Sequence, residues 1–137
     1  MIEDRKDPEV HYGQSQVLHW SPRVRTFQGS DPVTDEPVSV KVIGIGAAPE
    51  VSGYGRLFLD RCEVLRRLDH PTLPHLREAG LTPSGDAYLV FDWIEARRLS
   101  DVIPLEADAA LQLIGQVLEG LEGVALHNLV HWNVSPE

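Results

Sequence analysis

"PVSVKVI", Pro37 to Ile43, is of alternating character, apolar and polar residues following one another from Val38 to Val42. Successive side chains of an extended strand point to opposite faces, so Val38, Val40 and Val42 share one face and Ser39 and Lys41 the other. Such a strand belongs to a sheet with a valine-lined core on one side, and Lys41 faces away from that core. Upstream, "QVLHWSPRVRTFQG" (16–29) reads as strand, turn at Ser21 and Pro22, and strand, and "DPVTDE" (31–36) is a second turn, which makes an antiparallel meander. The first sixteen residues are polar and without periodicity, and are expected to be a flexible lead-in or a poorly specified first strand.

Downstream, "GRLFLDRCEVLRRL" (55–68) carries Leu57, Phe58, Leu65 and Leu68 at helical spacing, and the prolines of "DHPTLP" (69–74) end that helix. "LPHLREAGL" and "AYLVFDWI" flank the turn "TPSGD" and bring the sheet to about five strands. The last regular segment, "LEADAALQLIGQVLEGLEGVALHNL" (105–129), is a helix with Leu111, Ile114, Leu118, Leu121 and Ala125 along one stripe, widened by Leu113, Val117 and Val124. An apolar set that wide asks for cover on most sides. The fold class is therefore α+β.

At 137 residues the chain is long enough for one core. Twelve Lys and Arg against twenty-one Asp and Glu leave a formal charge of -9, which repels nucleic-acid backbones and anionic lipid. No apolar run is expected to reach bilayer length, and "MIEDRKDPEV" is acidic where a signal peptide is basic and then apolar, so a cytoplasmic protein is expected. The lone Cys62 reads as a small buried apolar group. Trp20, Trp93 and Trp132 are assigned by default to core or interface packing. "VIGIGAAP" has glycines at 44 and 46, but Pro49 stands in the third place of a dinucleotide fingerprint, and His127 and His131 have no third ligand within reach, so neither a dinucleotide nor a metal site is expected.

Four stretches, taken in order, resemble the protein kinase family, specifically bacterial-type Ser/Thr kinases. "DPVTDEPVSVKVI" is similar to the second and third strands, with "VSVK" where the family has Val-Ala-Ile-Lys; "FLDRCEVLRRLDHPTLPHL" to helix C and the His-Pro turn; "YLVFDWIEARRLSDVI" to strand five and the hinge; and "LEGVALHNLVHWNVSPE" to helix E and the catalytic loop. The resemblance implies a small lobe over 17–95, a five-stranded antiparallel sheet plus helix C, followed over 96–137 by the start of the large lobe with helices D and E and a degenerate catalytic loop.

It also implies roles for individual residues. Lys41 stands where the family's phosphate-directed Lys does, Thr26 and Ser39 line the adenine ceiling, Phe91 is the gatekeeper, and Asp92, Trp93 and Ile94 form the hinge, so Lys41, Ser39, Thr26, Asp92 and Ile94 are the nucleotide-binding candidates. Several family positions are altered. The glycines of the phosphate loop are His19, Ser21 and Val24; the helix C glutamate is Arg61, with Asp60 and Glu63 about 100° and 200° round the helix from it. The His-Arg-Asp of the catalytic loop is His131, Trp132 and Asn133, and the Lys that follows is Ser135. An Asn amide has no basic site near neutral pH and cannot take the substrate's proton. The expected function is a non-catalytic, pseudokinase-like binding or regulatory module, without a kinase metal site, with nucleotide and magnesium binding absent or weak, and docking a protein partner or a second copy through an exposed helix E face. The alternatives are a fragment of a longer Ser/Thr kinase-related protein and a weak ATP sensor that transfers no phosphate.

Overall fold

The computed structural model describes residues 5–45 and 52–129. In chain order it contains α1 (Pro8–Tyr12), β1 (Gln16–Trp20), β2 (Val24–Ser30), β3 (Pro37–Ile43), α2 (Ser52–Arg66), β4 (Leu76–Leu81), β5 (Ala87–Asp92), a single 3-10 turn at Leu99–Asp101, and α3 (Ala107–Leu126). The strands form one sheet in the order β1-β2-β3-β5-β4, each neighbouring pair antiparallel. The chain divides into two compact units, residues 1–67 with 75–93, and residues 68–74 with 94–137.

The first unit is built on the alternation of β3. Val38, Val40 and Val42 are at most 2% exposed and form the core with Phe27, Tyr88, Val90 and Tyr12. The turns closing the meander use local chemistry. Asp31 accepts the backbone N–H groups of Val33 (2.8 Å) and Thr34 (3.2 Å), and Asp35 takes the left-handed conformation (φ 60) that an Asp tolerates. Those two N–H groups hold the Asp31 carboxyl below the usual carboxylate range. Between β4 and β5 the tight turn places Gly85 at φ +89, and the buried Thr82 hydroxyl accepts the Asp86 N–H at 3.0 Å.

Three expectations are corrected here. The lead-in is not wholly irregular: Asp7 caps α1, accepting the Glu9 N–H, and Pro8 and Tyr12 are buried against the sheet. A proline at the first helical position and an Asp before it are a helix start that a short segment hides from periodicity. On α2, Leu57 is 53% exposed, and among its described side chains the buried positions are Gly55 and Cys62. A side chain at Gly55 would press on Leu81 of β4, so the helix approaches the sheet through its small residues. Cys62 is buried as expected, and burial, with Glu63 beside it, pushes its thiol up to about 11. Where a helix D was expected, the described chain has only the 3-10 turn, which stops short of Pro104, whose ring cannot continue a helix.

In the second unit, α3 runs for twenty residues and packs on the His-Pro turn through glycine. A Cβ on Gly120 would lie 2.7 Å from the Thr72 hydroxyl, and one on Gly123 would lie 3.0 Å from the His70 ring. The Thr72 hydroxyl is itself fixed, 3.0 Å from His70 Nδ1. Gly120→Val is therefore expected to destabilise the chain by about 1 to 3 kcal/mol through overpacking. Gly115 has nothing near its Cβ position, and Gly115→Ala is expected to stabilise by up to about 1 kcal/mol through helix propensity. Opposite shifts of the melting temperature for the two variants check this packing.

By length and composition α3 is apolar enough to cross a membrane, which corrects the expectation that no run is. It is also amphipathic, with Asp108, Glu119 and Glu122 along one edge.

Candidate functional site around Lys41

The register of the sheet decides which candidates meet. Thr26, Lys41 and Leu89 are direct cross-strand partners in one row, and Gln28, Ser39 and Phe91 in the next. Directly paired residues share a face, so Thr26, Ser39, Lys41 and Phe91 stand together on the side of the sheet opposite the valine core. Gln28 and Leu89 complete the patch, and alternation along β2 and β5 was the signal that could have found them. Leu76, 1% exposed, pairs with Phe91 on this same face.

Asp92 is not part of it. Its register partner is Val38, which puts it on the valine face, and its carboxylate is held by the Arg77 guanidinium. Arg77 also reaches Glu36 (2.8 Å) and Asp31 (3.4 Å), and its hydrogen bonds to Asp92 and Glu36 raise its pKa further above the ordinary arginine value. The Asp92 N–H is likewise engaged, donating to the His75 carbonyl at 3.1 Å. Ile94 belongs to the second unit and is 53% exposed.

Among the described residues Lys41 forms no ion pair. Arg61 is exposed on α2, and Glu63 is committed to Arg66 at 2.7 Å. No carboxylate on α2 is paired with Lys41.

The β1–β2 connection is closed on itself. The Ser21 N–H donates to the Val24 carbonyl (2.8 Å), the Val24 N–H donates to the Ser21 hydroxyl (3.0 Å), and that hydroxyl donates back to the Val24 carbonyl (3.1 Å). Pro22 has no N–H to give. The Gly44 N–H, donating to the Arg23 carbonyl at 2.7 Å, ties the tip to the end of β3. Of the four residues 21–24, only Arg23 keeps an amide without a partner within the turn. Backbone amides are what a phosphate cradle consists of, and this turn has almost none to offer.

Trp20, expected in a core or an interface, is 68% exposed. A bulge at Leu18 sets it opposite Arg25, on the valine side of the sheet, where it borders a depression of about 190 Å³ shared with Arg23, Val42 and Asp86. A second depression, of about 220 Å³, lies between Asp7, Arg25 and Ser84. Neither is lined by Thr26, Ser39 or Lys41. Among the described residues no cluster of three His, Cys, Asp or Glu could hold a metal ion. His127 is a satisfied helix-end residue, its Nδ1 2.9 Å from the Gly123 carbonyl. His131, Trp132, Asn133 and Ser135 lie outside the described residues.

Known proteins match both the sequence and this architecture. Serine/threonine-protein kinase-like protein E of Synechocystis is 31% identical over 143 residues, covering 98% of this chain and 22% of the relative. The fold matches the kinase domain of PknI from Mycobacterium tuberculosis with a TM-score of 0.71, at 20% identity, over 92% of this chain and 53% of that one. The chain is protein kinase-like. Its first unit carries the five strands and helix C of the kinase small lobe, and α3 belongs to the start of the large lobe. Serine/threonine-protein kinase pkn2 of Myxococcus xanthus is 30% identical over 90 residues, which is 63% of this chain and 11% of the relative. No family model matches the chain. The kinase-like chain spans about half of the solved kinase domains and about a fifth or less of these two bacterial relatives.

Proposed function

We propose that this kinase-like chain is a non-catalytic module, a pseudokinase-like domain that works by binding other proteins in the cytoplasm. The closed β1–β2 turn carries the reading. In a kinase the loop at this place wraps the nucleotide's phosphates with backbone N–H groups, and here two of the four residues at the tip spend theirs on each other while a third is proline. Lys41 supports it from the other side. It stands where the family's Lys stands, in a row with Thr26 and close to Ser39 and Phe91, but without the carboxylate from helix C that would orient it. Arg61 in the glutamate's place adds a like charge. Thr26 and Ser39 make the adenine ceiling more polar than an apolar ring face favours. With no cradle, no ion pair and a polar ceiling, ATP with magnesium is expected to raise the melting temperature little or not at all. A saturable rise with a micromolar midpoint, lost in Lys41→Ala, would overturn this and favour an ATP sensor.

The intact row of Thr26, Lys41 and Leu89 favours that sensor as the second reading, since a Lys without an ion pair among the described residues can still meet a phosphate as a point charge. The Ser/Thr kinase relatives, far longer than the matched region, support a third reading as one segment of a longer kinase-related protein. For the partner, the exposed apolar side of α3 is the proposed contact, made with a protein partner or a second copy.

A further inference from the structure

The valine face of the sheet is covered by the N-terminal segment, and one carboxylate fastens it there. Glu78 is the only acid pointing into this face from β4, and it does so because a bulge at Arg77 shifts the register: Leu76 pairs with Phe91 on the Lys41 face, whereas Glu78 pairs with Val90 on the valine face. One carboxylate oxygen accepts the Tyr12 hydroxyl and the other the Tyr88 hydroxyl, each at 2.6 Å, and the Lys6 ammonium lies 2.7 Å from Glu78. Lys6 also stands 5.6 Å from the centre of the Tyr12 ring. Burial alone would raise the Glu78 pKa, but the hydrogen bonds from Lys6, Tyr12 and Tyr88 outweigh it and hold the carboxyl below its ordinary value. Tyr12 is shifted the other way, upward, by burial and by donating to Glu78.

Beyond this cluster the segment is held by an exposed ion pair of Glu9 with Arg25 (3.2 Å), of the kind that contributes little, and by two buried side chains. A five-residue helix has no stability of its own, Val10 is 81% exposed, and only Pro8 and Tyr12 are buried. The segment ends at Gly13, whose φ of +65 suits a glycine hinge, before β1 begins at Gln16. At that end it lies close on the sheet, since a Cβ on Gly29 would stand 2.8 Å from the Tyr12 carbonyl.

We propose that residues 5–13 are a strap that lifts as a unit from the sheet, that Glu78 is its latch, and that lifting bares the apolar face of Phe27, Val38, Val40 and Val42. Local opening of a small element below the free energy of global unfolding is the expected behaviour of a segment anchored by two buried side chains, one exposed ion pair and one polar cluster. The sheet under it is held by four antiparallel ladders and does not depend on the strap for its hydrogen bonds.

Amide hydrogen exchange on the full chain tests this, reading the His11 amide, bonded to the Asp7 carbonyl inside the strap, against Val40 and Val90 in the sheet. Glu78→Gln removes the charge that three donors share and is expected to speed exchange at His11 about ten- to a hundredfold, leaving Val40 and Val90 unchanged. Tyr12→Phe keeps the ring in the core, removes one donor, and is expected to act in the same direction with a smaller factor. Equal acceleration at His11, Val40 and Val90 would show the segment to be an inseparable part of the core. No acceleration at His11 in either variant would show that Glu78 is not the latch. Either result overturns the proposal.

Discussion

Incubated with labelled ATP, magnesium or manganese and a generic protein substrate, the chain is expected to transfer no phosphate above background. Three separate losses act on the transition state. On the proposed reading Asn133 stands where the family has its Asp base, and an amide cannot take the hydroxyl proton; that loss alone would cost about 10²- to 10⁴-fold. The β1–β2 turn has spent its amides, and Lys41 has no carboxylate on α2 to hold it. Because the losses are distributed, Asn133→Asp by itself is expected to restore nothing measurable. A transfer signal that vanishes with Lys41→Ala would show that the Lys41 face works as a kinase site despite them, and would overturn the non-catalytic reading.

What the sequence made legible follows from which physical signal each part obeys. The β3 strand follows period two, so the buried valines and the shared opposite face of Ser39 and Lys41 could be read from seven residues, whereas Thr26 was placed there by the resemblance and by the register of β2. β4 does not. Its bulge at Arg77 turns Leu76 and Glu78 to opposite faces, and no local residue pattern announces that, so the Glu78 latch and the Arg77 cluster stayed hidden although both residues are charged and lie in a strand. Asp92 was misplaced for a related reason: the resemblance assigns a chain position, while the register with Val38 assigns the side chain's direction. α1 escaped because five residues make fewer than two turns, too few for a helical repeat to show, and only its Asp-Pro start and the aromatic Tyr12 mark it. The closed turn at Ser21 was half legible, since Pro22 announces a missing donor but not that Ser21 and Val24 satisfy each other.

The chain is expected to self-associate through α3, and Leu118→Asp is expected to abolish the association. The apolar stripe read from the sequence exists, but it is not the side of the helix that packs. At 100° per residue Leu111, Ile114 and Leu118 lie within about 60° of one another, and from the middle of that stripe the buried Gly120 and Val124 lie about 150° and 110° round. The glycine face takes the His-Pro turn because only residues without bulk can approach Thr72 and His70 so closely, which leaves the larger side chains turned outward. Leu111 is 67% exposed, Leu118 60%, Ile114 55% and Leu126 75%. Burying one such side chain contributes about 1.5 to 3 kcal/mol, so a stripe of several, rimmed by Glu119 and Glu122, is a surface that water strongly disfavours and a matching helix or groove would cover. A carboxylate at position 118 would have to be desolvated in any such contact, which costs more than the lost leucine contributes. Light scattering over a concentration series should therefore give an apparent mass that rises with concentration for the parent chain and stays at that of one chain for Leu118→Asp, with unchanged melting because residue 118 supports nothing inside its own fold. A parent chain that remains monomeric, or a Leu118→Asp variant that melts much earlier, would mean that this stripe is already covered within the molecule and is not an interaction surface.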